Sequence, residues 1–242
     1  MKKFSIDFSF LILLGIIGLS PKQDILLKLI LALFLHELGH ILWILLFRYK
    51  IEHLRLSIFG FFLKLEHTKE EWVEDLLIYS GGILMNLICF LCVPDPVFQK
   101  INLLLLIFNL LPIYPLDGFQ VIRSSMAYFM PYRLVLKGTA ILSLAGSTLV
   151  FVFLILFKMD LFLIFNACYL FFLSLEYYGK SNVIFQSFLL KKTLYPYSYP
   201  LKEIQFPKNI DNSFYKYHQV NLLIGNKKVT EEELIQSKKL LK

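Results

Sequence analysis

One short stretch combines residue types that hold a metal and move a proton: Leu35-His36-Glu37-Leu38-Gly39-His40. It follows the pattern H-E-x-x-H, the spacing of a zinc hydrolase site. On a helix, positions i and i+4 share a face, so His36 and His40 can bind one ion together. Glu37, beside them, is placed to take a proton from a water activated there. The surrounding segment, from Ile25 to Phe47, is otherwise almost wholly apolar. A carboxylate and two imidazoles in a membrane-grade helix carry a cost of several kcal/mol, which function repays.

A second polar constellation lies further on, Asn109-Leu110-Leu111-Pro112-Ile113-Tyr114-Pro115-Leu116-Asp117-Gly118. Its two prolines break a helix. Broken backbone at membrane depth needs a protein-lined or wet surrounding, commonly a polar site. Asp117 supplies a carboxylate there. It can act as a ligand, as the cap of a helix starting near Phe119, or as both. Two histidines and one aspartate leave a fourth position for water, as a catalytic zinc site requires. Asn86 and Asn109 are amides at membrane depth. Asn86 can serve an interhelical hydrogen bond or stabilise an oxyanion during catalysis, and Asn109 can add a hydrogen bond to the oxyanion.

The elements that must position these residues are membrane helices. The chain has 242 residues, 57% of them hydrophobic, a net charge of +7 and a mean hydropathy of +0.63. A soluble domain usually holds about 45–50% apolar residues. The fold class expected is an all-α polytopic membrane protein of six transmembrane helices. They fall at about Phe4–Leu19, Ile25–Phe47, Leu76–Val93, Ile101–Tyr128, Leu136–Phe157 and Leu161–Tyr178. The N-terminal apolar run lacks a small-x-small cleavage site and reads as a retained span. Lys2, Lys3, Arg48, Lys50, Arg55, Lys64, Lys69, Arg123, Arg133, Lys137 and the Lys-rich tail fall on one side. Only Lys22, Lys28, Lys100 and Lys158 fall on the other. The positive-inside rule therefore puts both termini in the cytoplasm. His40 lies about two turns before Arg48, and Asp117 under two turns before Arg123. Both half-sites are thus expected at similar depth, in the cytoplasmic half of the bilayer.

Between the second and third spans, Glu52–Glu66 alternates apolar with polar residues and reads as a membrane-associated β-hairpin turning near Phe59-Gly60. Such an edge could align an extended substrate by strand addition. The pair Cys89 and Cys92 lies within an apolar helix and reads as packing residues. His53, His67 and His218 lack ligand spacing. Residues 1–178 form the membrane domain, and 179–242 a small α+β cytoplasmic tail. In the tail Val220–Ile224 reads as a strand, Gly225-Asn226 as a turn, and Thr230-x-x-Glu233 as a capping box opening a helix to about Leu240. The basic residues are scattered through loops with no nucleic-acid motif, so no nucleic-acid partner is expected.

The H-E-x-x-H box in one span and the Asn109–Gly118 motif in a later one together resemble the site-2 proteases, intramembrane zinc metalloproteases. The likeness covers nearly the whole chain. The span count and tail are similar to the branch with a C-terminal CBS domain, whose sporulation members process pro-sigma-K. The resemblance implies one zinc ion per chain held by His36, His40 and Asp117, with Glu37 as general base. It implies a membrane-associated protein substrate, a pro-sigma-K-like factor or a membrane-anchored anti-sigma factor. It also implies membrane inhibitor or activator proteins, a compatible homo-oligomer, and a bacterial cell membrane, in sporulation the mother-cell membrane around the forespore. Gly81-Gly82-x-x-x-Asn86 stands where the family has a Gly-Pro-x-x-Asn-like motif, with Gly82 at the proline and the asparagine one place later. Val220–Leu240 resembles part of one CBS motif, and the tail is too short for a pair. The rival class is a non-catalytic zinc-binding membrane protein. It leaves Glu37 without a task, and a transporter would need inverted repeats that are not evident here.

Overall fold

The computed structural model describes residues 3–6, 23–49, 51–57, 60–65, 71–194, 199–205, 210–224 and 227–240. The chain divides into two compact units, residues 1–110 and 111–242. Among the described residues three helices are long and apolar enough to cross a membrane: Gln23–Leu46, Trp72–Cys92 and Tyr132–Leu156.

The first unit contains helices α1 (Gln23–Leu46), α2 (Trp72–Cys92) and α3 (Pro96–Asn109), and a sheet of strands β1 (Lys3–Ile6), β2 (Ile51–Ser57) and β3 (Gly60–Leu65) in the order β1-β2-β3. The expected hairpin forms, with β2 antiparallel to β3 and Leu54 opposite Leu63. The turn expected near Phe59-Gly60 lies largely outside the described residues. One expectation is corrected at the N-terminus. Phe4–Ile6, assigned above to the first span, is extended and pairs in parallel with Leu54–Leu56. Lys3-Phe4-Ser5-Ile6 alternates polar and apolar, a period of two that an averaged hydropathy reading overlooks. The remainder of that span lies outside the described residues.

Helix α1 meets α2 at a pair of glycines. A Cβ built on Gly81 would lie 2.6 Å from the Gly39 carbonyl oxygen, closer than real Cβ atoms come. Small residues let membrane helices approach in this way. Beside this crossing Ala32, Cys89 and Phe98 form a buried cluster that joins α3 to the pair. Cys89 is thus a packing residue, as its apolar setting suggested. Asp95 caps α3, accepting from the Phe98 amide at 2.7 Å, and Lys28 of α1 pairs with Asp95 at 2.8 Å. We expect Gly81→Ala to cost about 1–3 kcal/mol through overpacking, more than the roughly 1 kcal/mol that alanine returns in helix propensity. Thermal unfolding in detergent would read this as a lowered midpoint; an unchanged or raised midpoint contradicts the close crossing.

The second unit begins at the proline-broken segment. The expected fourth span is two helices, α3 in the first unit and α4 (Asp117–Phe129) in the second. Pro112 and Pro115 prevent a continuous helix between them. Helices α5 (Tyr132–Leu156) and α6 (Leu161–Leu194) pack along one another. Helix α6 is 34 residues long and continues through Gly179, where the composition changes. Its last turns are held because Phe185 and Leu189 are buried.

The tail pairs β4 (Leu201–Gln205) in parallel with β5 (Gln219–Ile224), which pairs antiparallel with β6 (Lys227–Thr230). The capping box forms as read: the Glu233 amide donates to Thr230 Oγ1 at 3.4 Å, and the Thr230 amide to Glu233 Oε2 at 3.2 Å. It opens α7 (Glu231–Leu240). The turn at Gly225-Asn226 lies outside the described residues. The tail is fastened within its own unit by the Tyr132 amide donating to the Phe214 carbonyl at 2.8 Å and by the ion pair Arg133–Asp211. His218 is buried against the rings of Tyr128 and Tyr215, a structural position. Its burial, with Lys202 and Lys192 nearby, pushes its pKa down.

Lys192 also joins α6 to α7, pairing with Glu231 at 2.8 Å and donating to the His218 carbonyl at 2.8 Å. Burial pushes the Lys192 ammonium down and the Glu231 carboxyl up, each opposed by the other's charge. Removing one partner of such a pair costs about 3–5 kcal/mol, whereas replacing both with apolar residues is often neutral. Glu231→Ala should therefore free the tail to limited proteolysis, and Lys192→Met with Glu231→Leu should not. Equal protection in the two variants would show that the pair has no such role.

Candidate metal centre

The helix α1 that carries the H-E-x-x-H box turns one face toward α2, and that face holds His36, Gly39 and His40. The Nε2 atoms of His36 and His40 lie 3.3 Å apart, with the rings edge to face at 80°. His40 Nδ1 lies 2.7 Å from the Ile78 carbonyl oxygen. A carbonyl only accepts, so Nδ1 holds the ring proton and Nε2 presents a lone pair.

His36 is buried and meets Asn86, which is fully buried on α2. Asn86 Nδ2 lies 3.0 Å from His36 Nδ1, while Asn86 Oδ1 has no hydrogen-bond partner among the described residues. In this arrangement the amide donates to Nδ1, and the proton on His36 Nε2 points toward the lone pair of His40 Nε2. Turning the amide by half a rotation would let Oδ1 accept from Nδ1–H instead. The buried oxygen then gains a partner, and His36 Nε2 presents a second lone pair beside that of His40. Histidines that hold a metal commonly donate their other ring nitrogen to an oxygen in this way.

The donor set fits zinc. Two imidazoles on one tetrahedral zinc at about 2.0–2.1 Å place their nitrogens about 3.3–3.4 Å apart, and the pair in α1 is separated by 3.3 Å. The space beside these nitrogens is kept open by Gly82. A Cβ there would come within 2.5 Å of both Nε2 atoms. Gly81 and Gly82 therefore have different tasks: one admits the neighbouring helix backbone and the other admits the imidazoles. Gly82 and Asn86 are four apart on one helix and reach the same histidine, so the Gly82–Asn86 interval is the one the site uses. Sequence reading placed Gly82 at the proline of the family motif and missed its role beside the imidazoles. Its only signal was the second of two adjacent glycines on the face of Asn86.

Glu37 follows His36 directly and is half-buried. Asn109 donates its amide to the Leu105 carbonyl at 3.0 Å, a bond within its own helix. In the second unit Asp117 is half-buried and is the first residue of α4. The helix cap is Leu116, so Asp117 is not the capping residue of a helix beginning near Phe119. A carboxylate in the first turn is favoured by the helix dipole.

No protein-family model matches the chain. Over 154 residues it is 30% identical to a Synechocystis protein named "Putative zinc metalloprotease sll0528", a stretch covering 50% of this chain and 41% of that protein. The chain thus spans about two fifths of the length of the curated relative it matches. Among solved structures, the site-2 protease from Methanocaldococcus jannaschii is similar with a TM-score of 0.52, covering 73% of this chain and 91% of that chain at 22% identity. At this identity the likeness is one of fold: the chain has a site-2-protease-like fold.

Proposed function

We propose that this chain is an intramembrane zinc metalloprotease that hydrolyses a peptide bond of a membrane-associated protein near the cytoplasmic face. The observation that carries the reading is the pair of Nε2 atoms 3.3 Å apart, each backed at its other ring nitrogen by a group on α2. The fold likeness and the partial match to a named metalloprotease support it. His36, His40 and Asp117 would hold one zinc, which when bound would acidify a water and polarise the scissile carbonyl. Glu37 accepts the proton of the attacking water and passes it toward the leaving amine. With its amide turned so that Oδ1 accepts from Nδ1–H, Asn86 would hold His36 in the tautomer that presents Nε2. An oxyanion role for Asn86 or Asn109 would use the second amide N–H that each has beyond the bond it makes here.

In the membrane the chain is read as a six-span protein with both termini cytoplasmic. The motifs resemble those of stage IV sporulation protein FB, and on that resemblance we propose a pro-sigma-K-like factor as the substrate and the mother-cell membrane as the place. A membrane-anchored anti-sigma factor is the other substrate of the same class. The test is cleavage of a co-reconstituted pro-sigma-K-like protein by the purified enzyme, followed by gel shift. Wild type should cleave, a chelator should stop it, and added zinc should restore it. Asp117→Ala should lose zinc at least about tenfold, as loss of a ligand or its support does, and lose cleavage with it. Cleavage that persists in chelator, or full zinc content in Asp117→Ala, overturns the reading.

A further inference from the structure

The segment before Asp117 has a problem that its own residues cannot solve. Broken by Pro112 and Pro115, it leaves backbone amides without helical partners in an apolar setting, where each orphan is costly. The Tyr114 amide is answered from outside. It donates to Ser143 Oγ of α5 at 2.8 Å. Ser143 Oγ lies 2.8 Å from Ser174 Oγ of α6, and Ser174 donates to the Leu170 carbonyl at 2.9 Å. Each hydroxyl has one proton, so the chain runs one way: Tyr114 N–H to Ser143, Ser143 to Ser174, Ser174 to the Leu170 carbonyl. Both serines are fully buried.

Buried hydroxyls in helices commonly bond back to their own helix, and here Ser125 donates to Val121 and Thr139 to Val135. Ser143 makes no such bond among the described residues; its oxygen is spent on the broken segment. Other contacts clamp the same place. Ile113 is fully buried and meets the backbone at Gly146, one turn on from Ser143. The Tyr114 ring stacks on Tyr177 of α6 at 4.7 Å, and Phe119 of α4 meets that ring edge-on at 5.0 Å. The segment on which Asp117 is hung is thus fixed from both α5 and α6.

We propose that Ser143 and Ser174 are positioning residues for Asp117, setting its carboxylate through the Tyr114 amide. The proposal rests on the reading of Asp117 as a metal ligand. Its test is zinc affinity, with cobalt absorption as a second signal, measured on the full-length protein in detergent for wild type, Ser143→Ala, Ser174→Ala, Asp117→Ala and the double variant Ser143→Ala with Asp117→Ala. Loss of a residue that supports a ligand weakens metal binding about 10–100-fold. Ser143→Ala should fall in this range and shift the cobalt spectrum, and Ser174→Ala should act in the same direction by less. In the Asp117→Ala background Ser143→Ala should change nothing further, because residues acting through one another are not additive. If Asp117→Ala loses zinc and Ser143→Ala does not, or if Ser143→Ala weakens binding equally in both backgrounds, the positioning role is wrong. If wild type and Asp117→Ala bind zinc alike, the ligand reading has failed and takes the proposal with it.

Discussion

Gly82→Ala is expected to give a folded protein that has lost its metal. By local propensity the change should help, since alanine in a helix interior is favoured over glycine by about 0.8–1.0 kcal/mol. The new methyl would come within 2.5 Å of Nε2 on both His36 and His40. Backbone rigidity in the α1–α2 crossing leaves the rings as the groups that move. Both rings are anchored at Nδ1, to Asn86 and to the Ile78 carbonyl, so moving them breaks those bonds as well. A misplacement of about 1 Å in a catalytic constellation costs on the order of 100-fold. Zinc content per folded protein should therefore fall together with cleavage, out of proportion to any change in the thermal midpoint in detergent. Gly81→Ala should do the opposite, lowering the midpoint first. If Gly82→Ala retains zinc and activity, the space beside the imidazoles is not the metal's.

How much of this was legible beforehand depends on the range of the interaction. The spacing of His36 and His40 was readable because a helix fixes which residues four apart share a face. The hairpin and the Thr230–Glu233 capping box were readable for the same reason, their signals being local. What escaped depends on partners far along the chain. Nothing in the sequence says that Asn86 meets His36, fifty positions earlier, or that Gly82 rather than Gly81 faces the rings. The strand at Lys3–Ile6 is hidden in an apolar run because its partner, β2, lies near residue 54. Helix α6 runs past its apolar portion with Phe185 buried against Phe214 of the tail, and tail packing is a tertiary fact. Asp117 shows the middle case. Its motif was legible, but the structure gives it the first helical position and leaves the cap to Leu116.

Glu37→Gln should keep the metal and lose the chemistry. Glutamine matches glutamate in size and leaves His36 and His40 on the same face of α1, so zinc content should equal that of wild type. An amide cannot take a proton at working pH, and loss of a general base lowers turnover by about 10²–10⁴-fold. The informative companion is Glu37→Leu. A carboxylate in the middle of a membrane helix is unfavourable by about 2.5–3.5 kcal/mol on insertion scales, and leucine is favourable there. That variant should therefore be at least as stable as wild type, and equally inert. Together they separate the two reasons a residue can be kept: one that served folding would be missed in the melt, and one that serves catalysis is missed only in the gel shift. Turnover by Glu37→Gln at the wild-type rate would move the base to another residue and leave the presence of a carboxylate in this helix unexplained.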